Sequence, residues 1–91
     1  MEDEETVKLR GLVSDVTEDD IYAAMIRFGA IRFVRVPLED STSISTRKRN
    51  RGFAFVTFMS KESALKALDE REVTVDICTI EIERAMKRPP P

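Results

Sequence analysis

Residues 51–58 read Arg-Gly-Phe-Ala-Phe-Val-Thr-Phe, and Ser60, a turn or cap residue, follows close behind. Aromatic and β-branched side chains dominate the run, which makes it a β-strand. Side chains alternate across a strand with period 2. Ala54, Val56 and Phe58 therefore share one face, and Arg51, Phe53, Phe55 and Thr57 share the other. Both faces carry bulky rings, which a strand with one wet face should not. Either the strand is buried on both sides, as in a doubly covered sheet, or its second face is a binding surface. Arg51, at the head of that second face, favours the binding surface: a cation beside two rings suits a stacked, negatively charged nucleic-acid strand.

The rest of the chain bounds the chemistry. At 91 residues it is one small domain that can fold without staples. The single cysteine, Cys78, excludes an internal disulfide framework and a cysteine zinc cluster, and is expected to be a small buried apolar residue. The absence of histidine removes the commonest general base and metal ligand. No residue set supplies a nucleophile with a base, a metal cage or a phosphate loop, so a non-catalytic domain without cofactor or metal is expected. A catalytic domain elsewhere in a longer parent protein stays open. No apolar run is long enough to span a bilayer and the start is acidic, unlike a signal peptide, so a soluble intracellular domain is expected. The net charge of −2 is not what a nucleic-acid binder advertises. Its distribution is more telling: acids gather at 2–5 and 15–20, bases at Arg32, Arg35, Arg47, Lys48, Arg49 and Arg51.

In chain order, residues 1–5 are expected to be a solvated acidic tail. Thr6 to Arg10 alternates as a first strand, with Val7 and Leu9 inward and Lys8 and Arg10 opposite. Thr17 looks like a helix N-cap with Asp20 completing a capping box, and Val16 and Ile21 sit at the staple positions. Ile21, Ala24, Met25 and Phe28 have helical spacing, and Gly29 is expected to supply a left-handed C-cap. Ile31 to Val36 reads as a second strand stopped by Pro37. With Val34 and Val36 inward, Phe33 and Arg35 join the face of Phe53 and Phe55; one bulge would reverse this. Residues 38–50 form a long polar loop whose basic end, Arg47-Lys48-Arg49, is either a solvated run or a set of phosphate contacts. Gly52 is expected to let a base or backbone approach closely. Ser60 caps a second helix over 61–70, with Ala64, Ala67 and Leu68 inward and Leu65 at the margin. Residues 73–77 form a small hairpin or a tight connection. Thr79 to Arg84 is the last strand, with Ile80 and Ile82 inward and Glu81 and Glu83 outward. Residues 86–91, ending in three prolines, read as a stiff extended tail or linker.

The order strand, helix, strand, strand, helix, strand predicts an α+β fold. It is a ferredoxin-like βαββαβ sandwich of a four-stranded antiparallel sheet with two helices on one face. Residues 51–58 also match, at every position, the octapeptide of the RNA recognition motif family: Lys or Arg, Gly, aromatic, Gly or Ala, Phe, Val, any residue, aromatic. The resemblance covers residues 6–85. It implies a monomeric single-stranded RNA-binding module of a nuclear RNA-processing protein. Bases would stack on Phe53 and Phe55 and Arg51 would meet phosphate, with Lys8, Arg10, Phe33, Arg35, Arg47, Lys48 and Arg49 as further RNA contacts. The family's first-strand hexapeptide corresponds to residues 7–12. Its second position, an aromatic platform in the family, is Lys8 here, and Gly11 stands where Asn is usual. One stacking platform is therefore missing. Glu81 and Glu83 would repel phosphate; they could also pair with Lys8 and Arg10, or accept hydrogen bonds from a cytosine amino group. The alternative is a protein-interaction module on the same fold, engaging a partner through the acidic start of the first helix. Relatives of that type carry Arg-x-Phe before the last strand, whereas Arg71-Glu72-Val73 lacks the ring.

Overall fold

The computed structural model describes residues 2–13, 16–37, 52–75 and 78–86. In chain order these form β1 (Glu2–Arg10), α1 (Glu18–Met25) with a 3-10 turn at Ile26–Phe28, β2 (Ile31–Arg35), β3 (Phe53–Phe58), α2 (Lys61–Glu70), β4 (Glu72–Val75) and β5 (Cys78–Met86). One antiparallel sheet runs β2-β3-β1-β5-β4. The α+β arrangement is the expected one with an added strand. Residues 72–75 build a fifth, edge strand whose register, Val73 opposite Ile80 and Val75 opposite Cys78, makes the hairpin that the sequence left open.

The helices begin where their caps dictate. The Thr17 Oγ1 accepts from the Asp20 backbone N–H at 3.3 Å, and Asp20 Oδ2 accepts from the Thr17 N–H at 3.0 Å. Val16 and Ile21 are both buried beneath this box, as a hydrophobic staple requires. Ser60 caps α2 by accepting from the Ser63 N–H, and Arg71 closes it in the left-handed conformation. Gly29 departs from the expected left-handed cap. Its φ of 146° with ψ of 178° lies in a region open essentially to glycine alone. A Cβ there would collide with the Ser63 side chain, so Gly29 is where the end of the first helix meets α2.

Val7 and Leu9 of β1, Ala54, Val56 and Phe58 of β3, and Ile80 and Ile82 of β5 point to one side of the sheet. They pack there with Ile21, Met25 and Phe28 of the first helical segment and Ala64 and Ala67 of α2. The sheet curls so that α1 touches both outer strands, β2 and β4, while α2 lies across β1, β3 and β5. The alternation read from the sequence sets this core directly. The outer ends of the first and last strands differ from that reading. Strand β1 starts at Glu2 rather than Thr6, because Glu2 pairs with Met86 across a register shift, and backbone pairing is indifferent to the acidic side chains of what composition marked as a tail. Strand β5 accordingly runs to Met86. Cys78 is only partly buried and donates its thiol to the Gly11 carbonyl at 3.2 Å. The proline-rich end at 87–91 lies outside the described residues.

Candidate nucleic-acid interface

Both helices lie on one side, so the other side of the sheet is the surface to read. Strand pairing aligns its side chains into rows. Arg35, Phe55, Lys8 and Glu83 form one row across β2, β3, β1 and β5. Phe53, Arg10, Glu81 and Glu72 form a second across β3, β1, β5 and β4. Phe33, Thr57 and Thr6 form a third. The bulge that threatened the facing of β2 is present between Ile31 and Phe33, yet Phe33 still pairs with Thr57 on the open side and is 53% exposed.

Six of the ten residues singled out as RNA contacts thus share this face: Lys8, Arg10, Phe33, Arg35, Phe53 and Phe55. The other four, Arg47, Lys48, Arg49 and Arg51, lie outside the described residues. Phe53 and Phe55 meet edge to face, centroids 5.8 Å apart at 80°, an arrangement favoured by the ring quadrupoles. Both are only partly covered. Lys8 Nζ stands 5.4 Å from the Phe53 ring centroid, within cation–π range. Where the family platform would offer a ring, this chain therefore offers a cation tethered to its neighbour. Thr57 belongs to the same face but is buried, its hydroxyl bonded to that of Thr6 at 2.8 Å.

The loop entering β3 explains two glycines. Gly52 has φ of +90° and Gly11 +89°, and the Gly52 carbonyl accepts from both the Gly11 and Leu12 N–H groups at 3.0 and 3.1 Å. A Cβ at Gly52 would meet nothing closer than the Leu12 carbonyl oxygen at 3.9 Å. Among the described residues no backbone approaches the Cβ position of Gly52 closely; within the fold its positive φ, not lack of room, calls for glycine there. The same demand accounts for Gly11 at a position where Asn, the other tolerant residue, is usual.

Electrostatics divide the face. Arg10 donates through Nε and Nη2 to Glu81 Oε2 at 2.9 and 2.8 Å, and its Nε lies 3.7 Å from Glu83. The hydrogen bond to Glu81, then the charges of Glu81 and Glu83, hold the guanidinium above its ordinary range, so it stays charged. Lys8 Nζ lies 3.9 Å from Glu83. The pairing with Lys8 and Arg10 that the sequence suggested for the two acids is formed. Sequence reasoning missed Glu72, directly opposite Glu81 in the fifth strand; the alternation of Glu72-Val73-Thr74-Val75 was its only signal. Arg32, counted among the basic cluster, is paired with Glu5 at 3.6 Å.

A face of paired rings and cations on a βαββαβ scaffold defines a class of protein, and the sequence comparison agrees. The model of the RNA recognition motif family matches residues 7–80, and the chain belongs to that family. It is similar to the mitochondrial glycine-rich RNA-binding protein 3 of Arabidopsis thaliana, 38% identical over 66 residues, covering 69% of this chain and 20% of that protein. It is also similar to heterogeneous nuclear ribonucleoprotein 27C of Drosophila melanogaster, 30% identical over 82 residues, covering 90% of this chain and 18% of that protein. The chain spans about a fifth of the length of these relatives. Among solved structures, the RNA-binding domain of Hrp1 in complex with RNA aligns with a TM-score of 0.77 at 24% identity, over 94% of this chain and 48% of that one. That likeness establishes the fold.

Proposed function

We propose that this chain is a single-stranded RNA-binding module of a nuclear RNA-processing protein, acting as a monomeric, non-catalytic domain. The observation that carries the reading is the partly exposed Phe53–Phe55 pair at the centre of the uncovered sheet face, flanked by Lys8, Arg35 and Phe33. Base–aromatic stacking contributes about 1–3 kcal/mol per base. Two rings and a few phosphate contacts therefore support modest affinity, which a neighbouring domain or partner would raise. Arg35, Arg51 and the 47–49 run are assigned to phosphate. Family membership and the names of the two relatives, an RNA-binding protein and a ribonucleoprotein, support the same reading. Those names point to mitochondrion and nucleus respectively; the nuclear assignment is tested by microscopy of the tagged full-length protein.

The test of binding is chemical-shift mapping with a pool of short single-stranded RNAs. Perturbation centred on β1 and β3, strongest at Lys8, Phe53 and Phe55, is the expected result. No response on the sheet, with a response of α1 to a peptide ligand, would replace the reading with that of a protein-interaction module.

A further inference from the structure

The two outward carboxylates of β5 are not equivalent. Glu81 is committed: two donors of Arg10 converge on one of its oxygens at 2.9 and 2.8 Å. Glu83 is held only loosely. Its nearest described cations, Arg10 Nε at 3.7 Å and Lys8 Nζ at 3.9 Å, lie beyond hydrogen-bond range. Its side chain is 40% exposed, and the carboxylate keeps acceptor positions for an arriving donor. It also ends the row Arg35, Phe55, Lys8, Glu83, one strand spacing, about 4.8 Å, from Lys8 and two from the Phe55 ring. A base lying over that row presents its edge to Glu83.

We propose that Glu83 is a specificity-determining residue that selects guanine at this position; the inference rests on the RNA-binding reading above. An ionised carboxylate only accepts hydrogen bonds. Guanine alone among the four bases places two donors, N1–H and the N2 amino group, side by side on its Watson–Crick edge, spaced like the two oxygens of a carboxylate. Adenine and cytosine each set a ring-nitrogen lone pair beside their amino group, and uracil flanks its single N–H with two carbonyls. All three turn electron density toward Glu83. Single-stranded bases are read on these edges by RNA-binding domains in general. The role of Glu81 is then positional: by engaging Arg10 it keeps that guanidinium from filling the acceptors of Glu83. The arrangement also explains why carboxylates on a face that meets a polyanion need not abolish binding: what one loses by repulsion at phosphate it regains at a donor-rich edge.

The experiment measures affinity for short oligouridine RNAs that differ only in one central base, adenine, cytosine, guanine, inosine or uracil. The guanine RNA is expected to bind about tenfold tighter than the adenine, cytosine and uracil RNAs, the scale of a good bidentate base contact. Inosine, which keeps N1–H and lacks the amino group, should lose most of that advantage. Glu83→Gln should abolish the preference by weakening the guanine complex, whereas Glu62→Gln on α2, the same change in charge away from the face, should keep it. Equal binding of the four natural bases, or a preference that survives Glu83→Gln, overturns the inference. So does a uniform gain for all RNAs in Glu83→Gln, which would make the carboxylate a repeller only. Failure of every RNA to bind overturns the RNA-binding reading itself and is distinct from each of these results.

Discussion

Strand β3 gives the same residue type opposite work on its two sides. Phe58 is fully buried between the sheet and the helices, while Phe53 and Phe55, on the other side, stay partly exposed and touch each other. The helix-covered side holds the apolar core, its strands contributing Val7, Leu9, Ala54, Val56, Ile80 and Ile82. The open side mixes rings, cations and acids in cross-strand rows. The difference teaches that aromaticity does not assign a role in this domain; the side of the pleat does, because only one side has helices to exclude water. Within the open side a second division holds. The β2–β3 half is aromatic and basic, and the β5–β4 half is acidic and draws Lys8 and Arg10 of β1 toward it.

The contrast between the two sides breaks most visibly at Phe58. Phe58→Ala should destabilise the domain by about 3–5 kcal/mol, as truncation of a core aromatic does, while Phe55→Ala should leave thermal unfolding nearly unchanged. Equal damage from the two variants in denaturation experiments would mean that both sides of β3 are core. Next in size, Phe55→Ala should lose about 1–3 kcal/mol of RNA affinity, one stacked base, which titration by fluorescence anisotropy reads; Tyr22→Ala, on an exposed position of α1, should lose none.

The smallest effects sharpen the division within the open face. Each phosphate neutralised on a single strand contributes about −0.7 to the slope of log affinity against log salt. Arg35→Ala should flatten the slope by about that amount, and alanine at Arg47, Lys48 and Arg49 together by one or two such steps. Arg10→Ala should leave the slope nearly unchanged, because its charge is already neutralised by Glu81. A slope that flattens for Arg10 and not for Arg35 would place the phosphate path on the acidic half and reverse the assignment of the two halves.

Much of the site was legible because it is built from a periodic signal. Alternation alone assigned Phe53 and Phe55 to one side and Val56 and Phe58 to the other, and a helix-capping pattern placed Thr17 and Asp20 correctly. What escaped was set by partners distant in sequence. The strand character of residues 2–5 comes from pairing with Met86, and Glu72 joined the face only through the edge strand it forms against Glu81. Gly52 was legible as a special position, but its cause, a positive φ that lets one carbonyl accept from both Gly11 and Leu12, needed the loop geometry.

The sequence by itself determined the core positions of the four longer strands, the side of each strand they take and the order of those strands and the two helices. These follow from local periodicity and from hydrophobic burial, which need no knowledge of the partner beyond its being apolar. The tertiary structure alone decided which charges neutralise which. Arg10 is tied to Glu81, 71 positions away in the chain, while Glu83, two residues further on, keeps its acceptors. Hydrogen bonds depend on tenths of an ångström and on direction, and those are fixed only when the register of β1 against β5 is set.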